Sequence, residues 1–495
     1  MSFISTRGGA CVTASQAILT GLAPDGGLYV PTMFPPVSAQ MLAEMADMSY
    51  QERAAAILKL YLEDYADEEI EQAVAAAYSA EKFDHPEIAP LHQLNGDTWV
   101  LELFHGPTLA FKDMALQLLP HLVTLAAKKN GETREISILT ATSGDTGKAA
   151  LEGFRDVPGT SCTVFYPDGG VSKIQQLQMT TTGGGNTHVI AVHGNFDDAQ
   201  TGVKKLFGSP DFAAAMNERG KVLSSANSIN FGRLAPQIVY YFSAYVDMVR
   251  QGAIAIGDPV NFVVPTGNFG NILAAYYARS MGLPINKLIC ASNRNNVLTD
   301  FFQTGDYSVQ RPFYKTTSPS MDILVSSNLE RLLFEAADRH GDIVREWMGQ
   351  LQSDGVYSIT EGRRQWLSHV FAAGYASDED ASGEIRLRFE QEQYLMDTHT
   401  AVASHVLRAY REQTNDTTPA VIVSTANPYK FVADVLAAVS DQAEDDAFTA
   451  SEKLEEMTGV PVPAQVKALQ SLPVLHNQKC ERADMADAVF AAFDK

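Results

Sequence analysis

Cysteine is scarce. The 495 residues hold four, Cys11, Cys162, Cys290 and Cys480, widely scattered and with no Cys-x-x-Cys pair. That argues against a disulfide framework or a cysteine zinc site, and it fits thiols kept reduced in a cytoplasm. Positive charge is short as well, with 37 lysines and arginines against 59 acids and a formal net charge of −22. Such a chain repels nucleic acid and anionic membranes, so any anionic substrate must be met by a local site of aimed donors. No apolar run reaches the ~20 residues of a membrane span. The start, Met1-Ser2-Phe3-Ile4, is not a signal peptide. There is no internal repeat and no low-complexity segment.

What remains is a globular composition, 45% hydrophobic, in a chain long enough for two or three domains. Early on, Pro24-Asp25-Gly26-Gly27 predicts a turn between a helix over 14–22 and a strand over 28–30. Ser49 is the expected N-cap of one helix, and Asp67 of the next. Pro86 and Pro90 mark a boundary, which gives an N-terminal helical domain over roughly 1–92. Strands and helices then alternate, with strands at 98–103, 136–140, 161–166 and 187–192 and a second series from 260 to about 440. The rhythm predicts an α/β domain over 93–440, built on open, twisted, mostly parallel sheets covered by helices. Residues 441–495 read as a solvated acidic connector followed by helical cover.

The chemistry gathers at the ends of predicted strands. Residues 102–113 read Glu-Leu-Phe-His-Gly-Pro-Thr-Leu-Ala-Phe-Lys-Asp. Helical spacing resumes at Leu109 and puts Lys112 one turn into a helix, among Phe104, Leu109 and Phe111. A lysine there loses hydration of its ammonium form, so its pKa falls toward that of a usable nucleophile for Schiff-base chemistry. Taken alone, a solvated surface lysine explains the residue as well.

Three loops add partners. Thr266-Gly267-Asn268-Phe269-Gly270-Asn271 follows a buried strand and precedes a helix, so its backbone can close around an anion at a helix N-terminus. It matches neither the dinucleotide nor the Walker pattern. Thr142-Ser143-Gly144-Asp145-Thr146-Gly147 is a second turn of that kind, and Ser424-Thr425-Ala426-Asn427 ends another strand in hydroxyls. A fourth stretch, Asn227-Ser228-Ile229-Asn230-Phe231-Gly232-Arg233, brings a guanidinium to a polar loop before a helix predicted from about Ala235. Arginine can hold a phosphate bidentately.

Together these stretches resemble the fold type II pyridoxal-phosphate enzymes, and within them the longer threonine synthases of bacteria and fungi. The likeness runs from Ser5-Thr6-Arg7-Gly8 to Ser424-Thr425-Ala426-Asn427-Pro428, nearly the whole chain. It implies a fold like that of the tryptophan synthase β chain, with a smaller mobile lobe over about 130–235. It implies that Lys112 joins pyridoxal 5′-phosphate covalently and shuttles protons. Gly267, Asn268, Phe269, Gly270 and Asn271 would cradle the cofactor phosphate, Thr425 would bond the pyridine nitrogen, and Asp145 would lie near the 3′-oxygen. Many fold relatives carry asparagine at that last position. Ser143, Thr146, Asn227, Ser228, Arg233 and Asn268 would bind the substrate, O-phospho-L-homoserine. The implied reaction eliminates phosphate from the γ carbon and adds water at the β carbon, giving L-threonine. No metal is implied, and a cytoplasmic monomer is the expected form. A serine or threonine dehydratase of the same fold is the rival, but it needs no second phosphate site and no N-terminal helical domain.

Overall fold

The computed structural model describes residues 1–493, the side chain of Asp197 apart. Its frame is two sheets. The larger has six strands in the order Phe371–Tyr375, Ile285–Ser292, Val260–Pro265, Ala420–Ser424, Thr98–Glu102 and Leu91–Gln93, all parallel except the last. The smaller has five parallel strands in the order Gln478–Cys480, Thr187–Val192, Thr160–Pro167, Glu135–Ala141 and Lys221–Ser224. Strands such as Val260–Pro265 and Ala420–Ser424 are buried at every position. Helices cover both of their faces, which is why such strands read as unbroken apolar runs.

Strand order decides what meets. Ala420–Ser424 lies between Val260–Pro265 and Thr98–Glu102, although about 160 residues separate it from one and over 300 from the other. Because the three are parallel, the segments that follow them leave from one edge of the sheet. In open α/β sheets that edge carries the ligand.

The segment after Thr98–Glu102 departs from the expected helix. Leu109 has φ +61°, in the left-handed region, and breaks the helical spacing. Ala110 bridges Ala426, and the Phe111 amide donates to the Thr425 carbonyl at 2.9 Å. Lys112 is therefore not one turn into a helix. It is the N-cap of the single turn Asp113–Leu116, held by the neighbouring strand's extension.

Other boundaries move for local reasons. Ser49 caps Tyr50–Tyr61 with a reciprocal bond from Glu52, as expected. Ala66, not Asp67, precedes the next helix, because Glu69 reaches back to the Ala66 amide. A helix at Ala39–Ala46, capped by Ser38, was not foreseen. The helix expected from Ala235 starts four residues earlier and runs Phe231–Arg250, since the Asn230 side chain accepts from the Gly232 amide and starts it. Pro236 lies inside the helix. The last fifty residues are more than helical cover, because Gln478–Cys480 forms the edge strand of the smaller sheet.

The N-terminal part packs on this frame through the antiparallel pair Phe3–Ser5 and Tyr29–Pro31 and through Tyr50–Tyr61. Buried Arg53 donates to Ser243 Oγ at 2.8 Å and to Asp247 Oδ1 at 2.9 Å, which fixes that helix to Phe231–Arg250.

Candidate active site

Lys112 is the centre of the edge. Its side chain is 12% exposed, with the Phe111 ring centroid 5.3 Å from Nζ. Burial lowers its pKa, opposed by Asp145 and aided by the charges of Arg233 and Lys430. Asp113, the next residue, is fully buried and accepts from the Thr108 amide at 2.8 Å and the Thr108 hydroxyl at 2.7 Å. Burial raises its carboxyl to about 6, with the Thr108 bonds opposing. A Cβ at Gly106 would lie 2.6 Å from Asp113, so the tight turn needs glycine there.

The Thr142–Gly147 turn brings Asp145 to the lysine. Thr142 Oγ1 accepts from the Gly144 and Gly147 amides, both at 2.9 Å. Gly144 has φ +136° and lies so close to Gln175 that a Cβ would come within 2.4 Å of it. Asp145 opens the helix Asp145–Phe154, with Oδ2 3.7 Å from Lys112 Nζ. Its Oδ1 accepts from Gln175 Nε2 at 3.0 Å and pairs with Lys430 Nζ at 2.9 Å. Burial alone would raise this carboxyl, but Lys430 and Lys112 hold it well below the ordinary range. Ser143 and Thr146 are half-buried in the same turn.

The glycine loop forms a second wall. Phe269 takes φ +64°, unusual for a side chain of that size, and caps the helix Gly270–Ser280. The bend turns the loop into the helix N-terminus, whose first amides have no partner within the helix. A Cβ at Gly267 would lie 2.8 Å from the Ser320 carbonyl oxygen, and Ser326 Oγ donates to the Gly267 carbonyl at 2.7 Å. Asn268 is exposed. The Asn271 carboxamide oxygen accepts from the Tyr240 and Tyr241 hydroxyls, while its buried Nδ2 is without a partner.

The fourth stretch meets the others from behind. Ser228 Oγ and the Asn268 carbonyl both accept from Asn328 Nδ2, each at 3.1 Å, so one carboxamide ties the two loops together. Asn227 Oδ1 accepts from Thr140 Oγ1 at 3.3 Å, beside the Asp145 turn. Arg233, in the first turn of its helix, is buried. Its Nη1 donates to the Ala226 carbonyl at 2.7 Å, and its Nε is an orphan. Burial pushes the guanidinium down to about 10, with no carboxylate among the described residues to offset it. Thr425 is nearly buried, and its carbonyl accepts from Phe111.

The structure thus links Asp145 and Arg233 to Lys112 by charge, Thr425 to Lys112's neighbour Phe111, and Ser228 to Asn268 through Asn328. Lys430, Gln175, Ser320 and Asn328 were missed. Lys430 follows Thr425 by five residues and had a local signal, a lysine in Asn427-Pro428-Tyr429-Lys430. Asn328 had none, since its partners lie 60 and 100 residues away.

These residues fit pyridoxal phosphate. A buried lysine with lowered pKa suits the carbonyl of the cofactor, and a glycine loop at a helix N-terminus suits its phosphate. The orphaned donors on Arg233 and Asn271 point to anionic or acceptor groups that the chain itself does not supply.

Comparison with known proteins agrees along the chain. Residues 2–78 match the family model for the threonine synthase N terminus, 72–348 that for pyridoxal-phosphate dependent enzymes, and 400–481 that for the threonine synthase C-terminal part. A threonine synthase of Pseudomonas aeruginosa is 41% identical over 436 residues, 87% of this chain and 89% of that one. Human threonine synthase-like 1 is 41% identical over 435 residues, 86% of this chain, but the match spans only 58% of the human protein. The crystal structure of a PLP-bound threonine synthase from Brucella melitensis superposes with TM-score 0.88 at 37% identity, covering 100% of both chains. The yeast threonine synthase structure gives 0.89 at 34% identity, covering 100% of this chain and 98% of that one. The chain belongs to the threonine synthase family of pyridoxal-phosphate-dependent enzymes.

Proposed function

We propose that the protein converts O-phospho-L-homoserine and water to L-threonine and inorganic phosphate. The observation that carries this reading is a buried arginine with an unpartnered donor, which suits a second anion site. Arg233 presents a buried guanidinium with an orphaned Nε, on a different loop from the glycine cradle and close enough to Lys112 to depress its proton affinity. A substrate with its own phosphate needs such a site, and a dehydratase does not. The family membership supports the same reading.

Lys112 would hold the cofactor covalently, Gly267–Asn271 its phosphate, Thr425 its ring nitrogen, and Asp145 would lie toward its 3′-oxygen. When bound, the cofactor supplies a conjugated ring that spreads negative charge from the substrate's α carbon. Lys112 Nζ, with its lowered pKa, takes the α proton and serves again as acid and base at the β carbon. Arg233, Asn227 and Ser228 hold the phosphate as it leaves the γ carbon, with Asn268, Ser143 and Thr146 completing the substrate's contacts. The smaller lobe, which we place at about 130–235, carries Asp145 and Asn227 and is suited to closing the site against stray water. We place that lobe within a catalytic domain over 93–440, flanked by parts at 1–92 and 441–495. We propose a cytoplasmic monomer, and light scattering after size exclusion checks the second part.

The test is direct. Purified protein supplied with pyridoxal phosphate should release phosphate from O-phospho-L-homoserine and form threonine in equal amounts. Protein that leaves this substrate intact and releases ammonia from serine would be a dehydratase instead.

A further inference from the structure

Lys430 is fully buried, and its ammonium is tied down on three sides. It donates to the Thr108 carbonyl at 2.8 Å and to Gln178 Oε1 at 3.2 Å, and pairs with Asp145 Oδ1 at 2.9 Å. The other oxygen of Asp145 lies 3.7 Å from Lys112 Nζ and accepts from Ser320 Oγ at 3.4 Å. One buried carboxylate therefore stands between two lysines, with a separate oxygen toward each. We propose that Lys430 is a positioning residue for Lys112, occupying and neutralising Asp145 so that Lys112 is free to give up its proton. This rests on the reading of Lys112 as the reactive amine.

The reason is the charge of the trio. With Lys430 present, the three groups sum to zero when Lys112 is neutral and to plus one when it is protonated. Without Lys430 they sum to minus one when Lys112 is neutral and to zero when it is protonated. A buried site favours the uncharged sum, so Lys430 decides which state of Lys112 is favoured. The surroundings do not reverse this. Arg233 also repels a proton on Lys112, and Asp113, with Glu152 beyond it, lies on the Lys430 side. Gln175, Gln178, Thr108 and Ser320 are neutral, and behind Ser320 stands His399 with Asp397. Lys430 is also held in place by the chain. It sits in the turn Pro428–Phe431, whose Asn427 cap starts that turn shortly after Thr425.

The experiment uses the full chain dialysed free of cofactor. Trace acetic anhydride at a series of pH values, read by peptide mass spectrometry, gives the pH midpoint of Lys112 reactivity without substrate or turnover. Lys430→Met should raise that midpoint by about one to three pH units, lowering Lys112 reactivity at mildly alkaline pH by about tenfold or more. Lys430→Arg keeps the charge and should stay closer to the parent. Asp145→Asn should lower the midpoint, and Asp145→Asn with Lys430→Met should return it near the parent. A Lys430→Met midpoint equal to the parent's overturns the proposal. Should that single variant not fold, the Asp145→Asn pair decides, and a midpoint that Asp145→Asn leaves unchanged or raises overturns the proposal equally. Pyridoxal phosphate attaching to a lysine other than Lys112 in the parent would instead overturn the reading of Lys112.

Discussion

At the scale of single residues, the site depends on two cations doing opposite things in the same buried space. In the proposed site Lys112 must lose its proton to react, and burial lowers its pKa. Lys112→Ala should abolish phosphate release from O-phospho-L-homoserine while the chain still folds, with turnover and far-UV circular dichroism as the measurements. Near-normal turnover in that variant would remove the assignment. In the proposed site Arg233 must keep its charge, and among the described residues no carboxylate offsets it. Arg233→Ala should leave the cofactor's colour intact, because in the proposed site another loop cradles it. Loss of one charge-assisted contact, about 1.5–3 kcal/mol, should weaken substrate binding by about ten- to a hundredfold. Arg233→Lys should recover little, since a point charge does not reproduce the planar fork. Steady-state kinetics of both variants check this, and unchanged kinetics in the alanine variant would move the phosphate site elsewhere. Residue type made both cations visible in the sequence. The role of Asp145 was not legible there, because it depends on Lys430, which lies 285 residues further on and bonds the opposite oxygen.

At the scale of elements, the glycine loop is tightly constrained. Gly267 packs under the Ser320 carbonyl, and Phe269 accepts a left-handed backbone to turn the loop into its helix. Gly267→Ala should weaken cofactor binding, because its new Cβ would lie 2.8 Å from a backbone oxygen and force the loop or residue 320 to move. Gly267→Asp should weaken it further by adding a negative charge beside a phosphate. Titration of dialysed protein with pyridoxal phosphate measures both, and an unchanged affinity in either variant would place the cradle elsewhere. The strand before this loop and the helix after it were legible from apolar runs and turn residues. The turn at Lys112 was not, since Leu109 and Ala110 follow the chain at 426–427 rather than their own helical spacing.

At the scale of the whole molecule, His105 joins the N-terminal part to the large sheet. Its Nδ1 lies 2.7 Å from Asp84 Oδ1 and its Nε2 2.8 Å from Glu102 Oε2. Burial alone would lower its pKa, but the two carboxylates raise it to about 9. A raised histidine stabilises the fold fully below its unfolded pKa of about 6.5, and that contribution is lost as pH climbs through the folded value. The melting temperature should therefore fall between about pH 7 and pH 10, and His105→Gln should flatten the fall while lowering stability at neutral pH. Differential scanning calorimetry of both proteins across that range checks it, and parallel curves would mean that the histidine is not charged in the fold.

Alone, the sequence determined the local pieces: which runs are buried strands, which turns can close on an anion, and which lysine and arginine stand among them. These follow from periodicity, glycine and capping chemistry, all of which act over a few residues. Tertiary structure decided what those pieces became together. It inserted the strand at 420–424 between two others, so that Thr425 holds the backbone beside Lys112. It set Asn328 between two loops and brought Gln478–Cys480 back to the edge of the smaller sheet. It also set Asp145 between two lysines. The physical reason is that strand order and the pairing of buried charges are chosen by the packing of the whole core, among partners hundreds of residues apart, and no local pattern encodes them.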